Sequence, residues 1–437
     1  MATRNPAPAA RAAVPMPRGA YATLTILLVV YIFNFIDRQI VNILAEPIAT
    51  DLGLSDTQIG LMTGLAFAIF YTVLGIPIAR YADRRSTSRP RLIAGALALW
   101  SAMTALCGMA ANFVQLLLAR IGVGVGEAGC TPAAHSLISD IVPKERRASA
   151  LAFYALGIPG GTLLGMIIGG LLADAIGWRM AFVVVGLPGV ALALVVLFVL
   201  KEPRRSGSAP ATTAPADPLA STNAMAAIRA IFGSKALVLL LAAAASAAFL
   251  SYGKITWATI FFQRTHGLTP GETGLYFGIV NGLAGLCGTW LGGHIADRYG
   301  SENRRHVLTA PAIGMLLVAP LSILAYWVPE WWMAVLLLAP PVLLSSLYYG
   351  PTYSAVQGLV APQNRAMASA VLLFCQNLIG LGLGPLLFGM LSDAVKPAAG
   401  EDSVRWVLYA ASLMSLIPAF FFWRCSLRLN EELDRQT

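Results

Sequence analysis

Charged residues are scarce in this sequence. Lys, Arg, Asp and Glu make up 12% of its 437 residues and 57% are hydrophobic, whereas an ordinary soluble domain has about 25% charged residues. So few charges cannot cover a soluble surface. The apolar residues also run in blocks of about 20 or more, the length that crosses a hydrocarbon core about 30 Å thick. The composition therefore indicates an integral membrane protein.

Cysteine and histidine are also few, and their spacing matches no disulfide, metal-binding or catalytic pattern. The five cysteines show no C-x-x-C pair and no zinc-like spacing, so neither a disulfide framework nor a metal site is indicated. None of the four histidines stands in a constellation with a nucleophile, which argues against an intramembrane lipid enzyme. The G-x-x-x-x-G-K-[ST] loop of a primary pump is absent. We expect no catalytic residue, no metal and no cofactor.

One glycine pattern imitates a nucleotide-binding loop. In "RIGVGVGEAGCTP", Gly124, Gly126 and Gly129 spell G-x-G-x-x-G, which in a dinucleotide-binding domain follows a strand and opens a helix. No strand is predicted before it, and the apolar pattern continues as a membrane span on both sides. We therefore predict that these glycines make a helix thin enough for close packing.

Twelve apolar segments can be placed along the chain. Backbone polar groups in lipid must be satisfied within each segment, so these are predicted to be helices. The fold class is thus an all-α polytopic membrane protein with two six-helix bundles. The segments are 21–48, 58–80, 92–111, 113–141, 148–173, 180–200, 236–262, 272–296, 307–328, 331–360, 367–393 and 405–427.

The remaining residues predict where the halves begin and end. Residues 1–20 are rich in Pro, Ala and Arg without an apolar core, so we expect a disordered leader and not a signal peptide. Residues 201–235 are expected to form a linker between bundles at 21–200 and 236–427. Residues 428–437 form a short tail.

The basic residues predict orientation. With a cytoplasmic N-terminus, the cytoplasmic segments hold 23 of the 30 Lys and Arg residues and the outer loops hold four. This bias predicts a multi-pass protein of a bacterial inner membrane with both termini in the cytoplasm. It also explains the net charge of +9 without a nucleic-acid partner.

The second half repeats loops of the first. "ARYADRRSTSRPR" after the second helix recurs as "GHIADRYGSENRR" after the eighth, and "SDIVPKERRASALAF" recurs as "GLVAPQNRAMASAVLLF". Such repeats are typical of transporters whose substrate site lies between two rocking halves. The alternative is that the loop acids merely offset nearby arginines. We predict a gating role for Asp83, Arg84, Arg146, Asp297, Arg298 and Arg365.

Four charged residues fall inside predicted membrane helices. Asp37 and Arg38 lie in the first helix, and Arg120 and Glu127 lie two turns apart on one face of the fourth. Each costs at least about 2.5 kcal/mol at membrane depth, so such residues normally pair and mark a pathway. Desolvation favours a neutral carboxyl group and a nearby arginine favours an ionised one, so small movements can bind or release a proton. The alternative is a static polar lock.

Other polar side chains are predicted to line a substrate cavity. Lys254, in the seventh helix, is expected to face the N-terminal half and could bind an anionic headgroup; the alternative is that its ammonium extends to the outer interface. For the aromatic and amide residues the alternative is ordinary interhelical packing. The candidates are Tyr31, Asn34, Tyr154, Trp257, Asn281, Tyr349, Tyr353, Gln376 and Asn377.

Several motifs resemble one family. The repeated G/A-x-x-x-D-R loops resemble the signature of the major facilitator superfamily, over nearly the whole chain from residue 21. Within it, "NFIDRQIVNILAEPI", "GIPIARYADRR" and the GVGEA run resemble the spinster-like group. An "N-x-x-D-R" first helix and "E-A-G" fourth helix also occur in the anion:cation symporter group, which remains the alternative.

The resemblance implies specific roles. Asp37 and Glu127 occupy the positions implicated in proton coupling in the spinster-like group, whose animal members move lysophospholipids and sphingosine phosphate. Asp83 would accept hydrogen bonds from the N-terminus of the eleventh helix. We therefore predict a monomeric, proton-coupled secondary transporter of a small amphipathic or anionic organic molecule, with uptake of organic acids or an intramembrane lipid enzyme as the alternatives. Its predicted partners are this substrate, protons and membrane lipids.

Overall fold

The computed structural model describes residues 17, 19–84, 86–143, 146–203, 224–300, 303–361 and 364–434. Within these ranges ten helical stretches are long and apolar enough to cross a membrane. Two of them, Ser149–Val199 and Met367–Leu429, have 51 and 63 residues, more than twice the length that one crossing of about 20 residues requires. They turn at Gly177 and Gly400, which have positive φ. The ten stretches therefore make twelve crossings, as predicted.

We number the crossings α1 to α12 in chain order. They are α1 (Ala20–Ile43), α2 (Asp56–Asp83), α3 (Arg89–Cys107), α4 (Phe113–Ile141), α5 (149–176), α6 (178–199), α7 (Lys235–Arg264), α8 (Pro270–Gly300), α9 (His306–Trp327), α10 (Trp331–Gly358), α11 (367–399) and α12 (403–429).

Three connecting regions differ from the predicted boundaries. The first segment breaks at Leu44 into α1 and a separate helix, Ala45–Leu52. The predicted linker contains the helix Ala224–Gly233, because its sequence AMAAIRAIFG is apolar enough to pack and buries Ile231. The last helix, Leu416–Asp434, continues through most of the predicted tail. The rest of the predicted linker, 204–223, and residues 1–16 of the leader lie outside the described residues.

The glycines of α4 bring neighbouring backbones into contact. A Cβ on Gly124 would lie 2.7 Å from the carbonyl oxygen of Phe67 in α2, and one on Gly126 would lie 2.7 Å from the backbone nitrogen of Trp100 in α3. Real side chains do not approach that closely, so only glycine fits. The G-x-G-x-x-G pattern is therefore a packing device within a helix, as predicted.

The two halves touch along glycine-lined helix pairs. In α2 and α11 the contact lies at π-helical turns, Leu61–Leu65 and Gln376–Leu383, where a Cβ on Gly64 would lie 2.8 Å from the carbonyl oxygen of Gly382. Where α5 meets α8, a Cβ on Gly274 would collide with the carbonyl of Met166. Because π turns often mark functional sites, the α2–α11 contact lies where motion between the halves is expected.

The two ends of the helical bundle differ. We call the end formed by the helix Ala45–Leu52, Gly177, the loop 265–269 and Gly400 the closed end, because hydrogen bonds join the halves there. The opposite end, with the loops 84–88 and 359–364, is the open end. At the open end, 365–375 packs chiefly on C-terminal helices and 147–155 chiefly on N-terminal helices. Contact between the halves is thus concentrated away from the open end.

Candidate functional site

The structure brings the four predicted intramembrane charges together between α1 and α4. The Nε atom of Arg38 donates a hydrogen bond of 2.6 Å to Oε2 of Glu127, whose side chain is 0% exposed. Arg120 lies two turns before Glu127 on α4 and is also buried. The predicted pairing of a first-helix arginine with a fourth-helix acid is therefore present.

Aromatic rings surround the Arg38 guanidinium. Its central carbon lies 4.5 Å from the ring centre of Tyr71, 4.9 Å from that of Phe67 and 5.1 Å from that of Phe35. Cation–π contacts of this kind contribute about 0.5–2 kcal/mol each. They hold the arginine at the boundary between the halves while one edge of its guanidinium bonds to Glu127.

Asp37 points the other way, as expected for the neighbour of Arg38 on a helix. Its carboxylate is 1% exposed and neither oxygen has a hydrogen-bond partner. The Trp100 indole and the Thr104 hydroxyl face it without reaching hydrogen-bond geometry. An ionised carboxylate in such surroundings is costly, and taking up a proton removes that cost.

The cluster contains more polar atoms than hydrogen bonds. Oε1 of Glu127, the side-chain amide of Asn34, and Nε and Nη1 of Arg120 are buried without a partner. A cavity of about 30 Å³, the volume of one water molecule, lies beside Arg38 and Arg120 and reaches Tyr252 of α7. Part of the unmet hydrogen-bonding capacity of the cluster thus borders a cavity at the contact between the halves.

One face of α7 contacts the N-terminal half. The hydroxyls of Thr256 and Thr259 donate hydrogen bonds of 3.0 Å to the side-chain and backbone oxygens of Asn42 in α1. Tyr252, one turn earlier, lies on the same face. Lys254 is two residues from Tyr252, a rotation of about 200° at 3.6 residues per turn, so it lies on the opposite face.

The prediction that Lys254 faces the N-terminal half is therefore wrong. Its ammonium lies 3.5 Å from the hydroxyl of Ser322 in α9, in a cavity lined only by residues of the C-terminal half, with Asn281 on its wall. Trp257 is buried and donates a 2.9 Å hydrogen bond to the carbonyl of Pro385 in α11, in an apolar cluster that also includes Ala45, Ala49 and Ile59 of the N-terminal half. Lys254 and Asn281 therefore lie within the C-terminal half, whereas contact of Trp257 with a substrate stays a prediction.

Other predicted lining residues form contacts nearer the pathway. Tyr31 stacks on Tyr154 with ring centres 4.3 Å apart, and the Tyr353 hydroxyl donates a 3.2 Å hydrogen bond to Gln376. Their contact with a substrate stays a prediction. The same holds for two half-buried residues of α10 and α11, Tyr349 and Asn377.

An arginine fork at the closed end, which the sequence analysis missed, joins the halves. The Arg264 guanidinium at the end of α7 donates to Glu46 at 2.7 Å and to Asp56 at 3.0 Å. Asp56 also accepts a 2.6 Å hydrogen bond from Ser392 of α11. Sequence analysis counted Arg264 only as an outer-loop charge.

Two aspartates at the closed end bond to helix N-termini of the opposite half. Asp393 of α11 accepts from the backbone nitrogens of Asp56 and Thr57 at the start of α2, at 3.1 and 2.8 Å. Asp174 of α5 accepts from the backbone nitrogen of Gly271 in α8 at 3.0 Å. Helix N-termini favour carboxylates. Asp174 and Asp393 are 219 residues apart, the same offset as Arg146 and Arg365 in the second pair of repeated loops. They therefore occupy equivalent positions of the two halves, and this spacing could have revealed them from sequence.

At the open end the predicted gating residues bond within their own halves. Asp83 accepts a hydrogen bond of 3.1 Å from Ser136 in α4, and Arg365 donates to the Gln357 carbonyl at 3.0 Å. Arg84 lies over the ring of Tyr81. The predicted bond of Asp83 to α11, and the gating roles of Arg146, Asp297 and Arg298, stay predictions for a state in which this end is closed.

A buried arginine organises the open end of the N-terminal half. Arg89 donates to Asp140 at 2.7 Å and forms an ion pair with Glu202, and it also bonds to Ser136. The network connects the starts or ends of α2, α3, α4 and α6. Sequence analysis did not single out Arg89, because a surface arginine and a buried one look alike in sequence.

The sequence profile of the Major Facilitator Superfamily matches residues 27–378. The chain belongs to this superfamily. An "MFS-type efflux pump" of Mycolicibacterium smegmatis is 36% identical over 420 residues, which cover 95% of each chain. The "Protein spinster homolog 1" of Xenopus laevis is 26% identical over 412 residues, which cover 90% of this chain and 77% of that one.

A solved structure gives the same assignment. A bacterial homolog to the human lysosomal transporter Spinster, in an inward-facing and unoccupied conformation, superposes with a TM-score of 0.87 at 30% identity. The alignment covers 96% of this chain and 99% of that one. The protein is thus a spinster-like transporter of the superfamily, which confirms the resemblance drawn from its motifs.

Proposed function

We propose that this transporter is a monomeric, proton-coupled exporter that moves a small amphipathic or anionic organic molecule out of the cytoplasm. The observation that carries the proposal is the buried cluster of Asp37, Arg38, Arg120 and Glu127 in the N-terminal half, in which Arg38 borders the contact between the halves. The name of the mycobacterial efflux pump supports the direction.

Proton binding would act through the Arg38–Glu127 pair. A proton on Glu127 removes the charge that holds the guanidinium, so the 2.6 Å bond weakens and Arg38 becomes available to the adjacent cavity. That cavity also borders Tyr252 and Thr256 of the other half. Protonation can therefore change the contact between the halves, which is the requirement for coupling.

Alternating access follows from the two ends. We place the open end in the cytoplasm of a bacterium, together with both termini, in agreement with the distribution of basic residues. Release on the other side requires the closed end to separate, which breaks the bonds of Arg264, Asp174 and Asp393. At the same time Asp83 would bond to α11 and close the cytoplasmic end.

The substrate class is inferred from the pathway side chains. Tyr31 and Tyr353 offer aromatic surface, while Gln376 and Arg38 offer polar groups and one positive charge. This combination suits a molecule with an apolar part and a polar or anionic head, such as a lysolipid.

The test uses proteoliposomes that contain a pH-sensitive dye. Lysophospholipids, sphingoid phosphates and aromatic carboxylates are added in turn, and substrate movement and proton movement are recorded with and without a pH gradient. We expect one class to move protons in the opposite direction to itself. Substrate transport that is indifferent to the gradient, or protons and anion moving together, would reject proton-driven export.

The control separates the cluster from other carboxylates. Asp51 is an exposed acid of the helix Ala45–Leu52, so Asp51→Asn should keep the gradient effect, while Glu127→Gln should lose it. Equal behaviour of the two variants would show that the cluster is only a structural lock.

A further inference from the structure

The geometry points to a second binding site, separate from the transport pathway. We propose that the core of the C-terminal half binds a small monovalent anion against the ammonium group of Lys254. This inference goes beyond the proposed function, because the site lies behind α7, on the face turned away from the N-terminal half.

The site is an internal cavity with a cation on its wall. Its volume is about 120 Å³ and residues of α7, α8, α9, α10 and α12 line it. Lys254 reaches it from α7, Ser322 from α9 and Asn281 from α8. The volume is several times that of one water molecule, so a small anion fits together with water.

Among the described residues, Lys254 has no counter-ion. None of the ion pairs that these residues form includes it, and no acid stands among the residues that line the cavity. Its hydrogen bond to Ser322 is a long one. An ammonium held inside a bundle without an opposite charge is costly, and an anion from solution would offset that cost. A monovalent anion leaves the site neutral, whereas a divalent one would leave an unpaired negative charge.

The N-terminal half shows what is missing. The first pair of repeated loops is offset by 214 residues, which places Ser251, one turn before Lys254, where Asp37 stands. The second pair is offset by 219 residues, which places Ser346 where Glu127 stands. The N-terminal core supplies its own opposite charges, and the C-terminal core has hydroxyls on its cavity wall at the positions of Asp37 and Glu127. The described residues of this core thus supply Lys254 with no counter-ion, and an anion from solution can take that place.

The hydrogen-bond donors facing the cavity can be identified. The hydroxyls of Ser345 and Ser346 both donate to the carbonyl of Val342 at 2.9 Å, so their hydrogens are already used. Ser322 accepts from Lys254 and keeps its own hydrogen for a ligand. The ammonium of Lys254 and the hydroxyls of Ser322 and Ser251, with the Asn281 carboxamide on the same wall, form an anion site of the charge-assisted kind.

The test is the melting temperature of the purified full-length protein. The protein is first exchanged into gluconate, an anion too bulky for the cavity, at constant ionic strength. Chloride, nitrate or acetate is then titrated in. We expect a saturable rise of about 1–2 °C at tenfold excess over the dissociation constant, with the rise absent in Lys254→Met.

Two further variants keep the test decisive. Lys396→Met removes an exposed cation of α11 and should retain the full rise. If Lys254→Met does not fold, Ser322→Ala keeps the charge and should weaken the anion about 3- to 10-fold, the value of one hydrogen bond.

The proposal is overturned if the wild-type protein shows no saturable rise. It is also overturned if Lys254→Met, or in its place Ser322→Ala, responds as the wild type does. Since melting is measured without substrate or gradient, failure of the transport proposal would leave this result unchanged.

Discussion

The cores of the two halves contain buried charge in different ways. In the N-terminal half two acids and two arginines lie together, and Arg38 and Glu127 form a direct ion pair. In the C-terminal half Lys254 stands beside a hydroxyl. The backbone repeats, but the chemistry does not. A transporter with twofold pseudosymmetry can thus assign proton binding to one half and leave the other a different task.

Proton coupling should depend on the N-terminal core. We expect Glu127→Gln to reduce gradient-driven transport by more than tenfold, while exchange without a gradient continues, because the variant retains the shape and loses the proton site. Asp37→Asn should act in the same direction. The measurement is the initial rate in proteoliposomes with and without a pH gradient. Wild-type coupling in both variants would rule out Glu127 and Asp37 as the proton-binding groups.

Thermal stability should distinguish a paired charge from an unpaired one. Arg38→Met leaves Glu127 buried without its partner, which costs about 3–5 kcal/mol, so the melting temperature should fall by several degrees. Lys254→Met leaves no carboxylate unpaired, so it should change the melting temperature little in gluconate buffer. Melting curves of both variants make the comparison.

A double variant checks the reason for this difference. Combining Arg38→Met with Glu127→Gln removes both charges and should recover most of the lost stability. If the double variant melts as low as Arg38→Met alone, aromatic packing around the guanidinium, and not the ion pair, stabilises this core.

The closed end should show how firmly the unlike halves are joined. Arg264→Gln removes charged hydrogen bonds to Glu46 and Asp56, worth about 1.5–3 kcal/mol each, and should populate a state with this end apart. Spin labels at Thr50 and Lys396, on opposite halves, should then report a second and longer distance.

Arg405→Gln is the matched control for that experiment. Arg405 also lies at the closed end, but it pairs with Asp402 of its own half at 3.1 Å. Its loss should leave the distance distribution unchanged. An equal shift in both variants would mean that general loss of positive charge, and not the arginine fork, separates the halves.

The smallest effect is expected at an exposed pair of the N-terminal half. The hydrogen bond from Arg179 holds the pKa of Asp51 below its usual value. A lowered carboxyl pKa stabilises the fold above the unfolded value of about 3.9 and the contribution disappears as pH falls through the folded value. Asp51→Asn should therefore lower the melting temperature slightly at pH 7 and not at all in strong acid. A large loss at pH 7 would make this surface pair comparable with the buried one.

The number of crossings and the meeting of the four N-terminal charges could be predicted from sequence. Long apolar runs fix the crossings, and the cost of buried charge requires Arg38 and Glu127 to find partners. The thin α4 followed from its glycines. These features depend on the hydrophobicity, charge and size of the residues themselves and not on how the neighbouring helices pack.

The direction of Lys254 and the closed-end bonds could not be predicted in the same way. Which face of α7 meets α1 depends on how six helices pack, and the apolar pattern of a membrane helix is nearly uniform around its axis. Arg264 lies at a helix end, where basic residues are common for reasons of topology alone. Only the paired spacing of Asp174 and Asp393 carried a signal, and it became visible through their equivalent bonds.

The facing π turns of α2 and α11 form a main-chain contact between the halves that can act as a pivot. A Cβ on Gly64 would lie within 3 Å of the main-chain carbonyl oxygens of Leu381 and Gly382 there, so the backbones of the two halves pack directly against each other at the pivot. The closed-end bonds of Asp174, Asp393 and Arg264 lie on one side of this pivot, and Asp83 lies on the other. A small rotation about this contact would break the closed-end bonds as the open-end bonds form, so the two ends cannot both be closed at once.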